Sequence, residues 1–188
     1  MRAYNRFREK HFYNALALLR GSVLEIGFGE GASLLRYAQA DEVYGLEKSR
    51  KNIQSSVALL LEEKRDDIRL VEGRAEYLPF ESCRFDAVTC SFALCSVDSR
   101  AQTVEEIFRV LKPGGKLLLL EHTLSHNGLF RMLQKMLAKP LSKISGNCHL
   151  DNEPLRVIDN EKFNIVSTAY FPFFLEPPLF IEAVKRDD

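Results

Sequence analysis

Five short apolar runs, separated by helical segments, constrain this chain more than any other feature. They are SVLEIG (22–27), EVYGLE (42–47), IRLVEG (68–73), FDAVTCSFAL (85–94) and KLLLLEH (116–122). A strand that is apolar on both faces must be covered on both sides. Helical patterns fill the gaps at 32–39, 49–64 and 101–111, with Ser49 as a candidate cap and Pro113-Gly114-Gly115 as a stop. Residues 3–20 read as a further helix, with Phe7, Phe12, Ala15, Leu16 and Leu19 along one face and Gly21 at its end. Strands alternating with helices form a parallel sheet through right-handed crossovers. The chain therefore reads as α/β, a Rossmann-like doubly wound sheet.

The last third breaks the alternation. A helix at about 128–138 leads into an irregular stretch, 140–153, and a short helix at 153–159. FNIVSTAYF (163–171) and LFIEAVK (179–185) then follow, joined by a loop holding Pro172, Pro177 and Pro178. Two strands with so short a loop must be antiparallel. Five parallel strands thus close on a C-terminal antiparallel hairpin.

The 188 residues suit a single domain spanning 1–188, with an N-terminal helix at 1–20 and a substrate-side segment at 124–160. Basic and acidic residues balance at 26 each, which is not the charge of a strongly cationic nucleic-acid binder. Cys83, Cys90, Cys95 and Cys148 form no CxxC pair, so neither a structural zinc site nor any other metal is expected. The same usage suggests a reduced, cytoplasmic protein. The charged start MRAYNRFREK does not resemble a signal peptide.

The first strand runs into Glu25-Ile26-Gly27-Phe28-Gly29-Glu30-Gly31. Glycines let the backbone turn tightly and approach a ligand without a Cβ between them. Gly27, Gly29 and Ala32 satisfy the dinucleotide pattern GxGxxG/A, so the loop alone does not name its cofactor. Glu47, at the end of the second strand, suits the ribose hydroxyls of any nucleoside cofactor.

VLEIGFGEG, EVYGLEKS, GRAEYLPF, FDAVTCSFALCSV, EEIFRVLKPGGKLLLLEH and GNCHL together resemble the class I S-adenosylmethionine-dependent methyltransferases of the ubiquinone/menaquinone-methylase-like group. Within that group, LCSV, RVLKPGG and EH look like the branch of phosphatidylethanolamine N-methyltransferase-like and thiol methyltransferase-like proteins. The resemblance implies a seven-stranded sheet of order 3-2-1-4-5-7-6, S-adenosylmethionine as cofactor and S-adenosylhomocysteine as product. It places the methionine end against Glu25, Gly27, Phe28 and Gly29, with Gly31 letting the next helix start close by. It gives the ribose to Glu47 and lays Lys48 along the adenine. Arg74 stands where the family usually has an aspartate that receives the adenine amino group. Arginine cannot accept a hydrogen bond, so Glu76, or the backbone at Ala75, is expected to take that part. Ser91 and Phe92 end the fourth strand beside the sulfonium. Cys95 stands where many relatives carry histidine and is expected to be packed.

His122 and His149 are the candidate general bases, because a group of pKa about 6.5 suits proton abstraction at neutral pH. His122 follows strand five, at the carboxyl edge where such sheets bind ligands. The expected acceptor is a small molecule or lipid headgroup offering nitrogen, sulfur or oxygen. No nucleic-acid partner is expected, and the chain is expected to be monomer or homodimer. Leu129, Met132, Leu133 and Met136 line one side of the 128–138 helix, and Arg131, Lys135, Lys139 and Lys143 recur beside them. The favoured expectation is a core-facing helix with solvated lysines; the alternative is a helix on an anionic membrane, with Tyr170-Phe171-Pro172-Phe173-Phe174-Leu175 beside it. Two other functions compete with an active methyltransferase: a degenerate, non-catalytic binding module, and a nicotinamide-dependent reductase.

Overall fold

The structure is a computed structural model that describes residues 2–142, 152–158, 162–173 and 177–187. Its sheet contains β1 (Ser22–Ile26), β2 (Glu42–Glu47), β3 (Ile68–Glu72), β4 (Phe85–Ser91), β5 (Leu111–His122), β6 (Phe163–Tyr170) and β7 (Pro178–Lys185). The seven strands run in the order β3-β2-β1-β4-β5-β7-β6. β1 to β5 are parallel, whereas β7 is antiparallel to both β5 and β6. Val23, Leu24, Val88, Leu117, Leu119 and Ile181 lose all solvent contact, as expected of strands covered on both faces.

α3 (Arg50–Glu62) and α4 (Arg100–Val110) start where a serine can cap them. Ser49 Oγ accepts from Asn52 N, and Ser99 Oγ accepts from Gln102 N, each at 3.3 Å. The N-terminal helix is less regular than its periodicity suggests. α1 (Arg2–Arg8) passes into a π-helical turn at Glu9–Tyr13 and then α2 (Asn14–Ala17).

The helix expected at 32–39 does not form. Only a 3₁₀ turn, Leu34–Arg36, is present. Ser33, Leu34 and Tyr37 are all drawn into the interior. The segment between Gly31 and Ala40 is also too short to hold a helix by backbone bonding alone, which needs about 12–15 residues. Consequently Gly31 does not open an α-helix.

α5 (Gly128–Ser142) starts at Asn127, whose Oδ1 accepts from Leu129 N at 3.0 Å and Phe130 N at 3.4 Å. A short α6 (Pro154–Val157) precedes β6. The expectation of a core-facing α5 holds only in part: Leu133 is half-buried with Phe130 and Leu137, whereas Leu129, Met132 and Met136 point to solvent and Gln134 is fully buried.

Candidate functional site

The carboxyl ends of β1, β2 and β4 surround a cavity of about 310 Å³. Gly27 and Gly29 form one wall, and Glu47, Lys48, Arg74 to Glu76, Ser91 and Phe92 are among the residues that line the rest. At Gly27 φ is +71°, its N–H donates to the Leu46 carbonyl at 2.7 Å, and an added Cβ would lie 2.6 Å from Ala93 Cβ. A side chain there would push the loop off β4. At Gly29 φ is +57° and nothing lies within 4 Å of an added Cβ, so its bare backbone faces open space.

Glu47 is almost completely buried and its two oxygens are already oriented. Oε2 accepts from Gly29 N at 3.1 Å and Oε1 from Ser49 N at 2.9 Å. A carboxylate has about four lone-pair positions, so each oxygen keeps one for a ligand. Lys48 Nζ donates to the Ser96 carbonyl at 3.2 Å, reaching from the end of β2 to the turn after β4.

Along the wall formed by Arg74, Ala75 and Glu76 the charged groups are already engaged. Glu76 Oε1 accepts from Asp98 N at 2.7 Å and Ser99 N at 3.4 Å, and its Oε2 lies 3.5 Å from Arg74 Nε. Although burial pushes the Glu76 carboxyl up, these donors outweigh it and hold the group below its ordinary range. Arg74 also pairs with Asp98. Glu76 thus anchors the approach to α4, and the buried backbone at Ala75 is the other lining surface there.

A second cavity of about 200 Å³ shares Gly27, Gly29, Ser91 and Phe92 with the first. Glu25 lies at its base and is wholly buried. Its Oε1 accepts from Ser33 Oγ at 2.5 Å, while Oε2 has no partner among the described residues. Burial pushes this carboxyl up to about 7, with Ser33 and nearby Tyr37 offsetting part of the rise. Arg8 and Tyr13 close the cavity from the N-terminal segment. The Arg8 guanidinium donates to the Tyr13 hydroxyl and lies 5.0 Å from that ring's centroid, while its buried Nε has no partner among the described residues. Sequence reasoning missed Arg8, Tyr13 and Ser33. Arg8 lies in a stretch that read only as a charged start, and its spacing from the glycine loop carries no signal.

Phe92 stands at the junction of the two cavities with φ of +54°. Such a backbone costs on the order of 1–3 kcal/mol in a non-glycine residue and must be held in place. Phe92 N donates to the Leu120 carbonyl at 2.8 Å. Buried Glu121 clamps the following turn, accepting from Ala93 N and Leu94 N at 2.8 Å and from Cys95 N at 3.3 Å. Burial, and after it the neighbouring Cys95, push the Glu121 carboxyl up to about 8, against the Leu94 and Ala93 N–H groups and His122. The Cys95 thiol is packed, 3.3 Å from the Phe92 carbonyl. His122 lies against Phe92, ring centroids 4.4 Å apart, and its carbonyl accepts from Asn152 Nδ2 at 3.0 Å. His149 lies outside the described residues.

Residues 24–119 match the model of a family described as a methyltransferase domain, and the chain belongs to that family. Its fold is that of the class I S-adenosylmethionine-dependent methyltransferases. One solved structure, an S-adenosylmethionine-dependent methyltransferase from Methanosarcina mazei, superposes with a TM-score of 0.73. It covers 89% of this chain and 93% of its own at 20% identity. Among curated relatives, a demethylmenaquinone methyltransferase of Renibacterium salmoninarum is 37% identical over 58% of this chain, which spans only 44% of that protein. A thiol S-methyltransferase of Rattus norvegicus is 28% identical over 91% of this chain and 74% of its own length.

Proposed function

We propose that the chain binds S-adenosylmethionine across the two joined cavities and transfers its methyl group to a small acceptor. One observation carries the reading. Two buried carboxylates stand at opposite parts of a glycine-lined space, each with acceptor capacity left over: Glu47 in the larger cavity and Glu25, through its unpartnered Oε2, in the smaller. A nucleoside diol and an ammonium group fit these two positions.

When bound, the cofactor supplies an electrophilic methyl on a sulfonium. Glu47 fixes the ribose, and Glu25 and Arg8 hold the ammonium and carboxylate of the methionine end. Ser91 and Phe92, where the cavities meet, flank the sulfonium. Phe92 excludes water, and its clamped backbone keeps the approach to the methyl in line. The adenine is held by the backbone at Ala75 and by packing; Glu76 Oε1 is taken up by Asp98 and Ser99, and its Oε2 faces Arg74. Positioning of this kind contributes up to about 7–11 kcal/mol, enough for an SN2 displacement at an activated methyl.

The acceptor we favour is a small thiol. The thiol methyltransferase relative aligns over 91% of this chain, including the region after β5, whereas the quinone-type relative aligns over 58%. The test is S-adenosylhomocysteine release on a panel of thiols, demethylated quinols and phospholipid headgroups. Turnover confined to quinols or headgroups would reassign the acceptor. Cofactor binding without turnover on any member would leave the non-catalytic module.

For an acceptor that must lose a proton, His122 serves as the base, and His149 remains a second candidate. His122→Ala is expected to lower turnover roughly a hundredfold, in the range of general-base contributions. Cofactor affinity should stay unchanged by calorimetry, and full turnover would remove His122 from the mechanism.

Arg8→Gln is expected to weaken S-adenosylhomocysteine binding about tenfold or more, the worth of one charge-assisted hydrogen bond. Binding of 5′-methylthioadenosine, which lacks the amino-acid end, should not change. Equal losses for both ligands would mean that Arg8 acts only through packing.

A further inference from the structure

α5 turns Phe130, Leu133, Gln134, Leu137 and Ala138 inward and leaves a second apolar stripe in solvent. Leu129, Met132 and Met136 are 67%, 56% and 67% exposed, whereas Gln134 and Ala138 are buried. Gln134 and Ala138 each follow an exposed methionine by two residues, so they lie roughly 200° away, on the opposite side. The rotation is locked by polar bonds. Gln134 Oε1 accepts from Ser125 N at 2.7 Å, and its Nε2 donates to the Thr123 carbonyl at 3.1 Å. Rolling the helix to bury its apolar stripe would break both bonds in the interior, where an unpaired amide is strongly disfavoured.

The charge around the stripe is one-sided. No aspartate or glutamate occurs from His122 through Leu150, whereas Arg131, Lys135, Lys139 and Lys143 all fall there. Arg131 and Lys135 are exposed. The segment is therefore basic in sequence on a chain whose total charge is zero, and exposed Arg131 and Lys135 lie beside the stripe. Just before α5, His126 stacks on Tyr170 with ring centroids 4.0 Å apart, and Phe173, a little further along the same loop, is half exposed. No described helix is long and apolar enough to cross a membrane.

We infer that the outward face of α5 seats on the surface of an anionic phospholipid bilayer. The leucine and methionines enter the acyl boundary while the flanking lysine and arginine meet the headgroups, which is the geometry of an interfacial helix. A second copy of this chain fits less well, because two such faces would bring like charges together. Placed this way, the carboxyl end of β5 and the start of α5 lie near the bilayer, so an apolar acceptor dissolved in it could reach the site.

The experiment is flotation of the purified chain with phosphatidylcholine vesicles and with vesicles containing about a third phosphatidylserine. Binding at least tenfold tighter to the anionic vesicles, weakened by salt, is expected. Met132→Gln/Met136→Gln and, separately, Lys135→Glu should each lower it about tenfold or more, with helix content and S-adenosylhomocysteine affinity unchanged. These controls do not depend on any acceptor, so failure here and failure of the methyltransferase reading are distinguishable. Absence of binding to anionic vesicles overturns the inference, as does equal binding to both vesicles. Undiminished binding of the methionine variant, or a solution dimer that this variant disperses, also overturns it.

Discussion

Glu47→Ala is expected to weaken S-adenosylmethionine and S-adenosylhomocysteine at least hundredfold while leaving the sheet folded. In the proposed binding mode the carboxylate accepts two charge-assisted hydrogen bonds from the ribose diol, each worth about 1.5–3 kcal/mol. Every 1.4 kcal/mol is tenfold in affinity. The substitution also frees Gly29 N and Ser49 N, the two donors that now aim the carboxylate. Glu47→Gln should not rescue binding. Its amide would have to point its NH₂ at one of those N–H groups, setting donor against donor. Calorimetric titration decides the matter: a loss under tenfold in a folded variant would place the ribose elsewhere.

The second large effect is a pH dependence set by Glu25. Its carboxyl, ordinarily near 4.5, is pushed up to about 7 by burial. In the ligand-free protein below that pH it therefore holds a proton. An incoming ammonium group must displace this proton before the ion pair forms. Cofactor affinity should then rise with pH up to about 7 and level off above it. The slope below is at most tenfold per pH unit, one proton released per ligand bound. Calorimetry in buffers of different ionisation enthalpy reads that proton directly. Glu25→Gln should flatten the profile and lower affinity above pH 7 by about tenfold to a hundredfold. An unaltered slope in that variant would assign the proton to another group.

The stability of the ligand-free protein should move in the opposite direction. Glu25 and Glu121 both have folded-state values above the unfolded one, at about 7 and about 8. Their contribution is complete below the unfolded value and is lost as pH rises through the folded values. Thermal stability is thus expected to decline between pH 5 and pH 8. Cofactor should restore part of it above pH 7 by binding only the folded state.

Glu47 was legible as an acid ending a strand beside the glycine loop, a local pattern, whereas Glu25 came only with the family resemblance. Glu76 was legible as a lining residue, but its capture by the backbone of Asp98 and Ser99 was not, since that contact joins segments far apart in the chain. Arg8 was missed for the same reason. Its approach to the cavity depends on how the N-terminal segment folds over one face of the sheet. The helix at 32–39 was misread because its apolar residues, Leu34 and Tyr37 among them, answer to the core rather than to a helical face.

By itself the sequence determined the strands, the helices between most of them and the antiparallel close of the sheet. It also determined the glycine turn with an acid on either side. These follow from periodicity, turn chemistry and chain length, which act between near neighbours. Only the tertiary structure decided which way α5 faces. Its pattern of apolar and basic residues is the same whichever side is turned inward. The choice rests on Gln134, whose two hydrogen bonds to Thr123 and Ser125 exist only once the helix has docked, and they hold its apolar stripe outward.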